Sequence, residues 1–378
     1  MESNRNLIKC LVPDLPTPKE LLPFLERIHE NRWYSNFGEL SVAFESGIIK
    51  LLAETTSDNP NEIFCCTTSS GTSALEIAIA NLNLKASSKI LIPSLTFPAS
   101  ATAILRNGLT PLITDVCSET WQLTPELAMN LVEEYDFSAV IPVATFGVPV
   151  DSSGWDDFTK KTNIPVIIDA AGAFPFQKIP KLCTVIFSFH ATKTFGIGEG
   201  GGIFVKNQLL DRKHKHLSNF GFKNGVIEEV GFNAKLSEFH SAVGLAQINR
   251  WNKTLIKRQS IYAEYDNKLK PNEHLIKQQL VPYGIPSLKV VECQEHANIM
   301  KNRLAVEGIE TRQWYFPLLS AHPLFKNKAT FTKSQYVSRH LSQHLLGIPF
   351  HNFLSDTDID FVVSRLLSSN RNLKITKG

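Results

Sequence analysis

Short apolar runs alternate with stretches of helical periodicity from about residue 60 to residue 205. The runs are rich in β-branched residues and carry no alternating polar positions; they are KILIPS (89–94), AVIPVAT (139–145), PVIIDA (165–170) and TVIFSF (184–189). Such runs are typical of strands buried on both faces. The pattern therefore predicts an α/β fold, in which a large domain is built on a mostly parallel central sheet flanked by helices.

One long helical stretch, near residues 236–270, divides the chain. After it, the run SLKVVECQEH, a helical segment near 296–307 and the run DTDIDFVVSRLL predict a smaller α+β domain. We therefore expect a large domain over residues 1–250, including an N-terminal segment, and a smaller C-terminal domain over residues 251–378. The long helix would link the two domains.

Composition and charge exclude several classes of protein. Of the 378 residues, 43% are apolar and 20% are charged, which is typical of a globular chain. The formal charge of +3 gives no electrostatic reason to expect a nucleic acid partner. No apolar run predicts a membrane-spanning helix or a signal peptide, so we expect no membrane partner. The six cysteines show neither a CxxC pair nor zinc-ligand spacing, which predicts reduced thiols, no metal site and a cytoplasmic protein.

Polar side chains follow the predicted strands at their carboxyl ends, where parallel α/β sheets bind ligands. Asp169 follows one strand, and Ser188 ends another with Lys193 shortly after it. A third strand is followed by Phe97. We therefore expect a carboxylate, an amine, a hydroxyl and an aromatic ring at one edge of the sheet.

Lys193 and Asp169 each have a structural alternative. Most lysines are solvated surface residues, and an Asp after a strand is often a turn former or a helix cap. The position of Lys193 soon after a buried strand favours a chemical role, because an amine in a partly dry pocket has a lowered pKa and becomes nucleophilic. That is the state needed to form a Schiff base. For Asp169 both interpretations stay open at this point.

Two glycine-containing segments are candidate anion sites. SSGTSALEIAIANL (69–82) leads directly into a helix, and free N–H groups at a helix start, together with hydroxyls, can bind phosphate. Ser73 and Glu76 in this segment also match a capping box, which needs no ligand and which this motif alone favours. The glycine-dense segment 196–202 indicates a turn at least as readily as a binding loop.

At this point the residues resemble a known family. SFHATKTFGIGEGG (188–201) resembles the S-F-H-x-x-K…E-G-G motif of the DegT/DnrJ/EryC1/StrS sugar aminotransferases, which are pyridoxal-phosphate enzymes of the aspartate aminotransferase fold, fold type I. Other segments resemble the family in the same order; they are WYSNFGELSVAFE (33–45), SSGTSALEIAI (69–79), IPSLTFPASATAILRNGLTPLITDV (92–116), IIDAAGAF (167–174), GFNAKLSEFHSAVGLAQ (231–247) and GIETRQWYFPLLSAHPLF (308–325). The resemblance covers nearly the whole chain.

The resemblance implies a pyridoxal 5'-phosphate site in the large domain. Lys193 would form the Schiff base and move protons, Asp169 would pair with the pyridinium nitrogen, and Phe97 would stack on the ring. The phosphate would be held by a turn and a strand end; the residues implied are Gly71, Thr72, Ser73 and Ser188.

The resemblance also implies the partners of the protein. Asn233 would reach the phosphate site of a neighbouring subunit, so the protein would be a homodimer with shared active sites. Tyr315 and His322 would lie near a sugar nucleotide. The reaction implied moves an amino group from glutamate, leaving 2-oxoglutarate, to an NDP-4-keto-6-deoxyhexose, for example a dTDP-linked one. The product would serve amino-sugar and surface polysaccharide biosynthesis, including the O-antigen of lipopolysaccharide.

Two other functions are compatible with the same residues: a pyridoxal-phosphate-dependent sugar nucleotide dehydratase and a non-catalytic cofactor-binding regulator. A dehydratase related to this family replaces the lysine by histidine, so Lys193 favours transamination. Three departures from the family pattern bear on substrate identity. Gly172 stands where many relatives carry Gln or His, Lys235-Leu236 replaces Arg-Met, and Glu39 replaces a proline after Gly38.

Overall fold

The computed structural model describes residues 7–269, 275–276, 278 and 284–371. Within these ranges the α-helices are α1 (Pro18–Asn31), α2 (Glu39–Thr56), α3 (Gly71–Asn81), α4 (Pro98–Arg106), α5 (Pro125–Leu131), α6 (Ser152–Thr162), α7 (Gln208–Leu217), α8 (Glu238–Leu269), α9 (Ala297–Val306), α10 (Pro323–Lys328), α11 (Tyr336–His344) and α12 (Asp356–Arg371). The strands are β1 (Phe64–Thr68), β2 (Lys89–Pro93), β3 (Thr110–Thr114), β4 (Ala139–Val140), β5 (Ile167–Asp169), β6 (Thr184–Ser188), β7 (Gly201–Val205), β8 (Phe222–Lys223), β9 (Val226–Ile227), β10 (Leu275–Ile276), β11 (Lys289–Cys293), β12 (Thr330–Phe331) and β13 (Leu345–Ile348).

The central sheet is mostly parallel, as the apolar runs predict. Its two halves have the strand orders β1-β7-β6-β5 and β12-β3-β2-β4, and parallel bridges from Val140 to Val166 and from Val143 to Asp169 join them. Strand β7 pairs antiparallel with both of its neighbours, β1 and β6, whereas the other pairs in the sheet are parallel. This arrangement confirms the predicted α/β fold class.

Both faces of the sheet are buried because each central strand is apolar at successive positions. In β5, Ile167 packs into one core cluster and Ile168 into another. In β6, Val185 and Ile186 divide in the same way. Successive side chains of a strand point to opposite faces, so a run without alternation can only be satisfied between two layers of helices.

Helix α8 spans 32 residues and confirms the predicted long helix. Trp251 in its first half packs into the core beneath the central sheet. Ile261, Tyr265 and Leu269 in its second half pack into a separate core together with residues of β11, β13 and α12. One helix therefore contributes to both cores.

Two segments cross the proposed division at residue 250. Strand β12 lies parallel to β3 at the edge of the central sheet, although it comes late in the chain. Near the N-terminus, Ile8 forms a parallel bridge with Ile309 and packs into the C-terminal core. The two-domain division remains a proposal, and the structure shows that the chain passes between the two cores more than once.

A carboxylate from α8 caps the N-terminus of helix α2. The buried Glu238 side chain accepts hydrogen bonds from the backbone N–H groups of Leu40 (2.8 Å) and Ser41 (2.9 Å). A negative charge is favourable at a helix N-terminus, where N–H groups lack helical partners. An added Cβ at Gly38 would lie 2.6 Å from the Glu238 carboxyl carbon, so this position needs glycine.

The departure at Glu39 has a local explanation. Glu39 occupies the first position of α2, where proline is common and an acidic residue is also favourable. Its carboxylate pairs with Arg27 and accepts a hydrogen bond from Asn31 (2.6 Å), both on α1. Glu39 therefore ties α1 to the start of α2 at the surface. Among the residues that the structure describes, no helix combines the length and apolarity that crossing a bilayer requires.

Glu238→Gln should lower the free energy of unfolding by about 1–3 kcal/mol, because an amide nitrogen would replace one of two oxygens that face backbone donors. Glu39→Gln is the matched control, since it changes the same group at the same helix start in an exposed pair, and should cost about 0.5 kcal/mol or less. Urea unfolding of both variants measures the difference. Equal losses would contradict a special role of the buried carboxylate.

Candidate active site

The predicted polar residues do collect at the carboxyl edge of the central sheet. Asp169 is the last residue of β5, and Ser188 is the last residue of β6, which lies beside it. Phe97 caps the N-terminus of α4, just after β2. Lys193 follows β6 in a single turn in which its backbone N–H bonds the carbonyl of His190 at 2.8 Å. Strand pairing therefore places these groups near one another.

Asp169 is a buried carboxylate that two donors hold in place. It accepts hydrogen bonds from the Ser100 hydroxyl at 2.7 Å and from the Ala171 backbone N–H at 3.2 Å. Burial raises the pKa of Asp169, while these two bonds and the positive charge of Lys193 act to lower it. Part of the carboxylate's stabilisation therefore comes from a neighbouring cation.

Lys193 experiences the reciprocal effect. Burial lowers the pKa of its amine, and the nearby Asp169 charge partly opposes that shift. The amine is therefore less basic than an ordinary lysine, as a nucleophilic amine requires. The two side chains are electrostatically coupled across the site.

The turn before α3 differs from the predicted capping box. The helix begins at Gly71, and Ser70 is its cap, with its hydroxyl accepting a hydrogen bond from the Ser73 backbone N–H at 3.0 Å. Ser73 therefore lies inside the first turn and cannot be the cap, so the prediction of a box from Ser73 to Glu76 is wrong. Glu76 instead pairs with Arg106 at 2.7 Å. Gly71, Thr72 and Ser73 thus form the partly exposed start of the helix.

This helix start lies directly against the end of β6. A Cβ added at Gly71 would be 2.8 Å from the Cβ of Ser188, a distance that real Cβ atoms do not show. A Cβ at Gly201 would be 2.4 Å from the carbonyl oxygen of Ser70. These glycines let the turn approach the sheet, so Ser188 and the first turn of α3 face the same space.

An aromatic row lines the other side of the site. The Phe97 ring is 63% exposed and lies edge-on to Tyr315, with centroids 6.5 Å apart. Tyr315 stacks on Phe146 at 5.6 Å, and Phe146 meets Trp121 edge-on at 6.1 Å. Burial and the charge of Asp169 both raise the pKa of Tyr315.

Asn233 lies beside the helix start but faces outward. Its side chain is exposed, and its Oδ1 accepts a hydrogen bond from Lys235 Nζ at 2.8 Å. The same amine donates to Asn219 Oδ1 at 2.8 Å. The neighbouring Ala234 carbonyl accepts from the Ser69 N–H at 2.6 Å, so this segment runs along the turn that precedes α3.

His322 lies at the start of a short helix late in the chain. His322 begins α10, and its ring lies edge-on to Phe325 at 6.1 Å. Among the described residues, the ring contact of His322 is therefore with its own helix. Its place near a substrate remains a prediction.

Sequence reasoning missed Ser100, Phe146 and Ser70. Ser100 follows Phe97 by three residues, which is nearly one helical turn, so this spacing was a usable signal for a group on the same face. Phe146 contacts Tyr315 only in the folded structure, because the two residues are far apart in sequence, and no local sequence pattern predicts that contact. Ser70 is one of three nearby serines, and the sequence alone did not say which one caps the helix.

Known proteins resemble this arrangement over the whole chain. The sequence profile of the DegT/DnrJ/EryC1/StrS aminotransferase family matches residues 17–367. The chain belongs to this family. A dTDP-4-amino-4,6-dideoxy-D-glucose transaminase from Shigella dysenteriae is 26% identical, covering 94% of this chain and 96% of its own. A GDP-perosamine synthase from Escherichia coli O157:H7 is 24% identical, covering 88% of this chain and 91% of its own.

Solved structures show the same fold. A Bacillus cereus protein assigned as a PLP-dependent aminotransferase superposes with a TM-score of 0.88 at 27% identity, covering 96% of this chain and all of that one. DesI, solved in the presence of its TDP-sugar product, superposes with a TM-score of 0.85 at 23% identity, covering 99% of this chain and 95% of that one. The protein is therefore an aminotransferase of this family, with pyridoxal phosphate as its cofactor.

The residues at the site fit that cofactor. Among the residues that the structure describes, no guanidinium hydrogen-bonds the buried Asp169 carboxylate, which suits a protonated ring nitrogen, and an exposed aromatic face suits a flat ring. The glycine-lined start of α3 offers N–H groups and hydroxyls to a phosphate. Lys193 supplies an amine of lowered basicity.

Ser100→Ala should weaken binding of pyridoxal phosphate to the apoprotein by about tenfold, because the charged form of Asp169 loses its hydroxyl donor. Loss of that bond raises the pKa of Asp169 further, so a smaller fraction is ionised at a given pH. The acidic side of the affinity profile should therefore move to higher pH, by about one unit. Titration of the apoprotein with the cofactor over a pH series measures both effects.

Thr102→Ala is the matched control for Ser100→Ala. Thr102 lies on the same helix, and its hydroxyl bonds only the carbonyls of Pro98 and Ala99. Its loss should leave the pH profile where it was. A profile that Ser100→Ala also leaves in place would show that the hydroxyl does not tune Asp169.

Proposed function

We propose that the protein transfers an amino group from glutamate to the keto carbon of a sugar nucleotide, with an NDP-linked 4-keto-6-deoxyhexose as acceptor. The observation that carries the proposal is the pair formed by Lys193 and Asp169. A lysine of lowered pKa and a buried carboxylate share one electrostatic environment at the carboxyl edge of the sheet. The proposed roles of the individual residues follow from that geometry.

Bound pyridoxal phosphate supplies an aldehyde that accepts an amine and a ring that stabilises negative charge at the neighbouring carbon. Asp169 would hold a proton on the ring nitrogen, and Phe97 would cover the ring face. The first turn of α3 and the Ser188 hydroxyl would hold the phosphate, which fixes the ring while the bound amine changes.

Lys193 would move the protons. Its amine would take the proton from the α-carbon of glutamate and later deliver a proton to the sugar carbon that gains nitrogen. A lowered pKa suits this task because an amine that is too basic stays protonated. The balance is simple: nitrogen leaves glutamate as 2-oxoglutarate forms, and it replaces the ketone oxygen of the sugar.

The acceptor class rests on the relatives. The two curated relatives described above act on amino sugars linked to dTDP and GDP. Tyr315, close to Asp169 and Phe97, would contact the sugar, and His322 would lie further out along the same chain segment. The product would serve surface polysaccharide synthesis in the cytoplasm, a compartment that fits six free thiols. The glutamate donor rests on the family resemblance alone.

A homodimer with shared sites would complete the proposal. The hairpin β8–β9 and the residues after it expose several large apolar side chains; these are Phe222, Val226, Ile227 and Val230, the last 96% exposed. Exposed apolar groups of this kind mark protein interfaces. The segment leads directly into Asn233, so docking on a second copy would carry that amide toward the copy's phosphate turn.

Lys193→Ala should remove the absorption band of the Schiff base between lysine and cofactor and reduce amino transfer by about 10³-fold or more, because the nucleophile and the proton carrier are lost together. Absorption spectra before and after addition of glutamate measure the first half of the reaction. Addition of dTDP-4-keto-6-deoxyglucose or GDP-4-keto-6-deoxymannose then tests return of the original band. Lys160→Ala, at an exposed ion pair with Asp157 on α6, is the control.

Each outcome of this experiment selects a function. A wild-type spectrum that responds to glutamate and recovers with a keto sugar nucleotide supports transamination. A coloured protein that ignores glutamate would favour the dehydratase or the regulator. An active Lys193→Ala variant would contradict the proposed mechanism outright.

Shared active sites predict complementation between two inactive variants. In an equal mixture of Lys193→Ala and Asn233→Ala, after subunit exchange, half of the dimers would be mixed, and each mixed dimer would hold one intact site. Activity should then recover to about one quarter of wild type. Activity assays before and after mixing, with sedimentation to confirm dimers, measure this.

The control mixes Lys193→Ala with Asp169→Asn. Because both residues belong to the same chain's part of the site, each of the two sites in a mixed dimer carries one altered residue, and no recovery is expected. If Asn233 acted within its own chain, the mixture of Lys193→Ala with Asn233→Ala would also show no recovery. A Lys193→Ala, Asn233→Ala double variant mixed with wild type therefore separates the cases: shared sites leave no mixed dimer with a complete site.

A further inference from the structure

Gly172 lies three residues after Asp169 and packs against a residue from the C-terminal half of the chain. A Cβ added at Gly172 would be 2.5 Å from the hydroxyl oxygen of Ser287. It would also be 3.3 Å from the Cα of Gly147. Three backbones therefore meet where a side chain at position 172 would begin. This explains why Gly172 departs from a pattern of Gln or His: here Ser287 already fills that space.

Ser287 holds the turn that carries Phe146. The buried Ser287 hydroxyl donates to the Phe146 carbonyl at 3.1 Å, and the N–H of the next residue, Leu288, donates to the same oxygen at 3.2 Å. Gly147 follows with a φ of +90°, and a Cβ there would lie 2.6 Å from the Ser287 nitrogen. Only glycine suits that conformation and that contact.

Helix α8 fixes Ser287 in turn. The buried Arg258 donates from Nη2 to the Ser287 carbonyl, and its guanidinium lies 4.1 Å from the centroid of the Phe350 ring. Its charge-assisted bond and its packing on an aromatic ring make this a rigid support. Gln278 adds a bond to the Thr145 carbonyl at 3.3 Å on the other side of the turn.

The turn in question supports the aromatic row of the site. Phe146 stacks on Tyr315, which meets Phe97. We infer that Ser287 is a positioning residue for this row, and that Gly172 and Ser287 are a matched pair in which the serine hydroxyl takes the place of a side chain at position 172. The inference rests on the proposed roles of Phe97 and Tyr315.

A double-mutant cycle on the cofactor-loaded protein tests the pair. Gly172→Ala should lower the midpoint of thermal unfolding by about 2–6 °C, because its Cβ meets the Ser287 hydroxyl. Ser287→Ala should lower it by about 2–4 °C through loss of the bond to Phe146. The double variant should lie within about 1 °C of Ser287→Ala, since the clash is gone. Additive losses would overturn the matched pair.

The visible circular dichroism of bound pyridoxal phosphate tests the positioning role, because it reports how the ring sits in its surroundings. Ser287→Ala should lose intensity per bound cofactor because its bond to the Phe146 carbonyl is gone. Gly172→Ala should lose intensity as well, and the double variant should match Ser287→Ala. Gly47→Ala is the control: its Cβ would lie 2.6 Å from Ile248 Cδ1, in the contact of α2 with α8, and it should leave the signal unchanged.

The unfolding midpoints and the circular dichroism signal test different parts of the inference. An unchanged signal in Ser287→Ala would overturn the positioning role even if the midpoints are coupled. A wild-type protein that binds no pyridoxal phosphate would overturn the proposed function of the site, whereas the midpoints would still report on the pair. Coupled midpoints together with a signal that follows Ser287 support the inference.

Discussion

A buried carboxylate is the constraint on which the site depends. An ionised Asp169 away from water is costly unless donors and a cation compensate it. Ser100 and the Ala171 N–H supply two hydrogen bonds, and Lys193 supplies nearby charge, yet burial still raises the pKa of the acid. A protonated ring nitrogen would complete the compensation, so the electrostatics of the apoprotein already favour the cofactor that the family uses.

The parallel sheet explains how a small number of residues, far apart in sequence, assemble the site. Neighbouring parallel strands end at one edge, so residues far apart in sequence meet there without long side chains. Glycines at positions 71 and 201 then bring the start of α3 against the end of β6. The start of α3 is thereby held against β6 by backbone packing, which is stiffer than a contact between flexible side chains.

The sequence predicts this part of the site well because each signal is local. Asp169, Ser188 and Phe97 each lie at or just after the end of an apolar run. The carboxyl ends of parallel strands meet at one edge of the sheet, so these residues are expected to lie close together. The contacts that escaped prediction join distant positions: Phe146 with Tyr315, and Ile8 with Ile309. The helix cap escaped for another reason, since hydrogen bonding among closely spaced serines is decided by backbone geometry that composition does not encode.

Residues predicted from local signals and residues that join distant segments lie in different parts of the chain. The proposed cofactor residues of one chain all precede α8, whereas Tyr315 and Ser287 follow it. Changes after α8 can therefore alter Tyr315 and its contacts in the aromatic row, while Asp169, Lys193 and the first turn of α3 stay in place. Gly172 sits at the junction, because its missing side chain is what lets the later segment approach. A larger residue there would have to be matched by a change at Ser287, so the packing of the two segments constrains both positions together.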